Sequence, residues 1–154
     1  MKFNHPYSDL YLDQVREAVG YMCTLGNMNK IPLKEILARF SISEIANGIE
    51  KASPMYLAGL CSIEYLIYLF PDIEIEDKAE YHIIDEYYWC GWAFAYMEWY
   101  SGLSFRTLYR LVNDETLLWM YSVYHEMSDS HLRDFINSKV SDFDELVKGT
   151  EGDI

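Results

Sequence analysis

The chain of 154 residues is half apolar, sets twelve basic against twenty-five acidic side chains for a net charge of −13, and contains fourteen tyrosines and four tryptophans. That length fits one domain able to bury a core without disulfides or metal, and the charge repels nucleic acid and anionic membranes, because no Lys/Arg cluster offsets it. Cys23, Cys61 and Cys90 are odd in number and lack CxxC spacing, no run of eighteen apolar residues could cross a bilayer, and the opening residues turn acidic rather than forming a leader. The expectation is a soluble cytoplasmic protein with reduced thiols, no cofactor and no metal.

In chain order, Ser8 can cap a first helix to about Leu25. Leu10, Val15, Val19 and Met22 mark its apolar face, Asp9, Asp13, Arg16 and Glu17 lie largely off it, and Gly26-Asn27 ends it. Pro32 suits the first turn of a second helix, whose period runs through Leu33, Ile36, Leu37, Phe40, Ile45 and Ile49 to about Lys51. Ser53-Pro54 is a restart, and Met55 to Phe70 then form a second core helix that Pro71 stops. Its Ala58-Gly59 offers a small surface against which Gly91 could pack closely.

An acidic crossover follows over 71–84. Asp72-Ile73-Glu74-Ile75-Glu76 alternates with period two, which permits a short extended segment. Around it, seven acids (Asp72, Glu74, Glu76, Asp77, Glu80, Asp85, Glu86) stand against one cation, Lys78, for a local charge of −6.

The organising element is 85–102, where eight of the fourteen residues from Tyr87 to Tyr100 are aromatic and Glu98 is the lone charge among them. Asp85 can N-cap this helix, and Gly102 stands where a left-handed C-terminal cap belongs. Wound at about 100° per residue, it places Tyr88, Trp92, Ala95 and Trp99 in one stripe and Trp89, Ala93, Tyr96 and Tyr100 in another. Ser104 can then cap a helix to about Val112, Asp114 one to about Met127, and Ser128 one to Val140, with Ser141–Ile154 fraying after one more turn. The chain reads as a mainly α, single-domain bundle of six to seven helices spanning 1–148, with a frayed tail at 149–154.

Two passages carry a resemblance. Phe40-Ser-Ile-Ser-Glu-Ile-Ala through Ser53-Pro-Met-Tyr-Leu-Ala-Gly59, and Tyr88 through Gly102 with Ser104-Phe105, resemble a family of uncharacterised helical proteins of Gram-positive bacteria. Its members carry "SGIAxxFExGNPxYVAG" and "YWAGWALAYYQWYSGxSF" passages, occur beside small toxin-like genes and on mobile elements, and often end in a helix-turn-helix region. The resemblance covers roughly Phe40 to Phe105, and its second passage is the specific part. It implies a regulatory or antitoxin-type module rather than an enzyme. Two departures bear on that: the chain leaves no room after its last helix for a DNA-binding region, and Glu98 stands where the family has Gln.

The remaining constellations are weighed one by one. Glu98 amid Trp92, Tyr96 and Trp99 fits an acid of raised pKa in an apolar pocket, although a solvent-facing or hydroxyl-bonded carboxylate is the ordinary outcome. His5, His82, His125 and His131 make no metal pattern, and Asp72, Glu74 and Glu76 imitate a calcium loop that Asp77 and Ile83 then break. Arg106 and Arg110, one turn apart, suggest either a phosphate site or ion pairs to nearby acids. Tyrosine and tryptophan anchor interfaces, so the reading is a non-enzymatic module that engages a basic protein partner through Asp72, Glu74, Glu76, Asp77, Glu80 and Glu86. Tyr88, Trp89, Trp92, Tyr96, Trp99 and Tyr100 would form its core or an interface, and spare aromatic surface would allow a homodimer. The alternatives are an inhibitor of a bacterial defence nuclease that imitates DNA phosphates, and a small enzyme that uses Glu98.

Overall fold

The computed structural model describes residues 4–78 and 83–152, side chains of the last six excepted. After a 3-10 turn, Asp9–Tyr11, the described residues form nine α-helices and no strand: α1 (Leu12–Met28), α2 (Leu33–Ser41), α3 (Glu44–Glu50), α4 (Pro54–Ala58), α5 (Ser62–Leu69), α6 (Glu86–Ser101), α7 (Phe105–Leu111), α8 (Asp114–Tyr124) and α9 (Asp129–Gly152).

The expected central helix is α6. The Asp85 carboxylate accepts the Tyr88 N–H (2.9 Å) and also the Thr24 hydroxyl (2.7 Å), tying its start to α1. Gly102 takes the left-handed conformation (φ 72°), and its N–H returns to the Glu98 carbonyl at 2.9 Å. Both aromatic stripes are used. Tyr88 packs on Tyr21, Trp92 lies beneath Arg16 and Trp99 stacks on His5, so the first stripe faces α1 and the amino-terminal arm. The second faces α8 and α9, with Trp89 edge-on to Tyr121 and the Tyr100 hydroxyl bonded to Asn137.

Several boundaries differ from expectation, each for a local reason. Helix α1 does not stop at Gly26-Asn27 but runs to Met28, and beyond its cap Lys30 adopts a left-handed φ of 65° so that the Ile31 N–H can reach the Gly26 carbonyl at 2.9 Å. Gly26 lies inside the helix, where a Cβ would meet the Ile36 side chain, so its lack of a side chain serves packing rather than a cap. The helix expected from Pro32 to Lys51 is two, because the Ser43 hydroxyl caps the Ala46 N–H (3.2 Å) and starts α3 afresh. The run from Met55 to Phe70 also divides at Gly59-Leu60, after which Cys61 and Glu64 cap α5. Asn113, not Asp114, caps α8. Helix α9 continues to Gly152, well past the point where fraying is expected.

The close crossing at Gly91 is with α1, not with Ala58-Gly59. A Cβ on Gly91 would lie 2.5 Å from the Val19 carbonyl oxygen, whereas one on Gly59 would meet only its own turn at Met55. Gly91 therefore marks a close backbone approach between α1 and α6, the two helices that run most extensively against each other among the described residues. Phe40, Tyr65, Phe70, Phe94 and Phe105 fill the adjoining core without exposure above 1 %.

Candidate functional site

The described part of the acidic crossover, 71–78, is largely exposed and irregular rather than the extended segment expected: it opens in a turn, with the Ile73 N–H on the Phe70 carbonyl at 3.2 Å, and is then held by its backbone at Glu76. Asn29, at the end of α1, donates its side-chain amide to the Glu76 carbonyl (3.0 Å) and accepts the Glu76 N–H (2.8 Å), pairing as a strand neighbour would. This clamp fixes the segment without covering it. Asp72, Glu74, Glu76 and Asp77 are all exposed, the Asp72 and Glu76 side chains by 73 % and 69 %. Arg39 approaches Asp72 at 3.8 Å, and Lys78 pairs with Glu76 at 2.9 Å, which holds the Glu76 carboxyl below its ordinary value. Glu86 is exposed in the first turn of α6, and Glu80 lies outside the described residues.

The aromatic residues are committed to the chain's own packing. Tyr88, Trp89 and Tyr96 are buried, and Trp92, Trp99 and Tyr100 are partly buried. Burial raises the Tyr88 hydroxyl to about 12. Arg16, expected off the apolar face, is 3 % exposed: it bridges both Asp129 oxygens (2.9 and 3.0 Å), donates to the Trp92 carbonyl (3.2 Å), and lies 3.2 Å from the Trp92 ring centroid. Arg133 donates to the Tyr96 hydroxyl at 3.0 Å. The amino-terminal arm covers the other end, where Trp99 donates to the Tyr7 carbonyl (2.9 Å) beneath the stacked His5 ring. The aromatic side chains that remain exposed lie elsewhere and apart in sequence, at Tyr11, Tyr68, Trp119 and Phe143.

Glu98 overturns the expectation of a solvent-facing or hydroxyl-bonded carboxylate. It is 0 % exposed, and neither carboxyl oxygen has a hydrogen-bond partner. Burial first, and then the charge of Glu50, push its pKa well above the ordinary 4.5. The Tyr7 hydroxyl is a second buried polar group without a partner, and the Glu98 charge adds to the burial that raises it. Glu50 is half-buried and accepts the Phe105 N–H at 2.7 Å, which opposes the upward push of burial on its own carboxyl. Glu98 thus lies wholly buried, not at a surface where a substrate could touch it.

Glu50 itself faces a cleft of about 310 Å³ between the end of α2, α3 and the start of α7. Ser41, Glu44, Asn47, Ser104 and Arg106 share its walls. The Ser41 hydroxyl, on a residue 5 % exposed, is a third buried polar group with no partner. Neither Arg106 nor Arg110 makes the ion pair expected of it among the described residues, where no three His, Cys, Asp or Glu side chains gather as metal ligands and no helix is long and apolar enough to cross a membrane. A scan of the sequence against family models, and searches against curated proteins and solved structures, found no match.

Proposed function

We propose that this protein is a non-enzymatic acidic binding module of the cytoplasm, antitoxin-like or regulatory, that engages a basic protein partner through the segment carrying Asp72, Glu74, Glu76 and Asp77. The observation that carries this reading is the Asn29 clamp, which pins the Glu76 backbone and with it an acidic segment whose carboxylates are exposed to solvent. A preset array of one sign speeds encounter with the opposite sign and costs little ordering when the complex forms. The net charge of −13 acts in the same direction, and the resemblance to an antitoxin-like family supplies the setting. The burial of Glu98 favours a binding role for the surface over catalysis by that carboxylate.

Affinity capture from cells that express the protein natively, at low and then high salt, tests the reading when the variant with Asp72, Glu74, Glu76 and Asp77 changed to Lys runs in parallel. A basic protein held by the natural chain, released by salt and missed by the variant is the expected result. Equal capture by the variant overturns the electrostatic reading, and capture of nothing at either salt overturns the binding module.

A further inference from the structure

We propose that residues 4–7 form a pH-sensitive strap, closed over Glu98 while that carboxyl keeps its proton and lifted from Trp99 once it ionises. The first ground is what lies over the carboxyl. Gly91 and Glu98 are seven residues apart, close to two turns, so Glu98 emerges on the side of α6 that meets α1 at Gly91. Helix α6 and the chain that covers it run in opposite directions: Val19 lies at Gly91, Arg16 at Trp92, and Tyr7 at Trp99. At the level of Glu98 the cover is therefore the arm and no longer the helix. Tyr7 supplies it, being 6 % exposed, with its hydroxyl buried where the Glu98 charge acts on it more strongly than any other.

The second ground is how lightly the arm is held. Residues 4–7 make no backbone–backbone hydrogen bond among the described residues. Their attachment converges on one side chain: the His5 ring stacks 3.7 Å from the Trp99 ring, its Nδ1 lies 2.9 Å from the Trp99 carbonyl oxygen, and the indole N–H donates to the Tyr7 carbonyl at 2.9 Å. The Asn4 carbonyl rests against Gly102, which has no Cβ to push it away. Helix α1, by contrast, is fixed to α6 by the Arg16 and Thr24 bonds and by the close approach at Gly91. A local opening takes the segment with the fewest bonds to break.

The trigger follows from the surroundings of Glu98. A carboxyl with no partner ionises only when water or a counter-charge reaches it. Glu50 of α3 opposes ionisation, Arg16 of α1 is committed to Asp129, and Tyr65 of α5 and Tyr7 of the arm are held neutral by burial. His5 stays on the exposed side of the arm. Water must therefore solvate the charge, and the arm is the cover that yields to admit it. Burial and then Glu50 hold the Glu98 carboxyl well above its ordinary 4.5, so the closed form prevails at low pH and opening grows as pH rises toward that folded value.

Hydrogen exchange of the full chain, followed by NMR from about pH 5 to 9 and expressed as protection relative to unstructured peptide, is the test. The Trp99 indole N–H should be less protected than the Val19 and Phe94 amides at every pH, and its protection should fall at least about tenfold across the range. Glu98→Gln should hold that protection constant, and so should the apolar Glu98→Met if the buried amide prevents folding. His5→Phe keeps a ring on the indole and should retain the fall. Constant protection in the natural chain, protection of Trp99 equal to that of Val19 and Phe94, a fall that survives removal of the Glu98 carboxyl, or one lost in His5→Phe would each overturn the proposal.

Discussion

Two ionisable side chains are sealed against α6, and their surroundings could hardly differ more. Arg16 has a bidentate carboxylate, a backbone carbonyl and an aromatic face, so its charge is answered on every side although it is almost wholly buried. Glu98, two turns further along the helix that Arg16 crosses, has no partner for either oxygen. A buried charge persists when hydrogen bonds and a counter-charge replace water, and otherwise the group holds its neutral form. The Arg16 site therefore works as an electrostatic joint linking α1, α6 and α9, while burial without a counter-charge pushes Glu98 toward its neutral form.

The first way to break this contrast is to orphan the arginine. Asp129→Ala leaves the Arg16 charge buried and is expected to cost about 3 kcal/mol, at the lower bound for breaking a buried pair because the Asp129 side chain is 34 % exposed. Urea denaturation of the variant checks it. Next, Gly91→Ala would push α6 away from Val19 and lift Trp92 from Arg16. The overpacking, less the gain in helix propensity, leaves a loss of about 2 kcal/mol by the same measurement.

Glu98→Gln sharpens the other half. A carboxyl whose folded pKa exceeds its unfolded value stabilises fully below the unfolded pKa, and that stability drains as pH rises through the folded one. The natural chain should therefore lose up to about 1.4 kcal/mol per pH unit above its ordinary 4.5 until Glu98 ionises, and the Gln variant, which cannot ionise, should lack that slope. Parallel denaturation curves from pH 5 to 8 would show the two chains diverging; a constant difference would remove the raised pKa. The smallest change is Trp99→Phe, which deletes the bond to the Tyr7 carbonyl and should cost about 1 kcal/mol while quickening hydrogen exchange in the amino-terminal arm.

Much of the framework was legible because it rests on local rules. Asp85, Ser104 and the Ser53-Pro54 pair start helices where cap chemistry places them, and Gly102 ends α6 in the conformation that only glycine adopts freely. The breaks at Ile42 and Gly59-Leu60 were not legible, because an apolar helical period continues through both and only the serine and cysteine caps reveal the restart. Gly91 was read correctly as a close contact but assigned to the wrong neighbour, since spacing identifies a thin face and not what crosses it. Arg16 was missed for a similar reason: one cation between Val15 and Val19 looks like a solvated edge until Asp129 is brought beside it. For Glu98 a signal did exist, in its standing as the lone charge among fourteen residues of a helix with no polar face.

The Arg16–Asp129 pair also joins residues 113 positions apart. At roughly 5–20 residues per second of translation, the arginine leaves the ribosome some 6 to 23 s before its counter-charge. During that interval α1 exposes a face built for a helix not yet made, and so newborn chains that end short of Asp129 should be the form most dependent on chaperones.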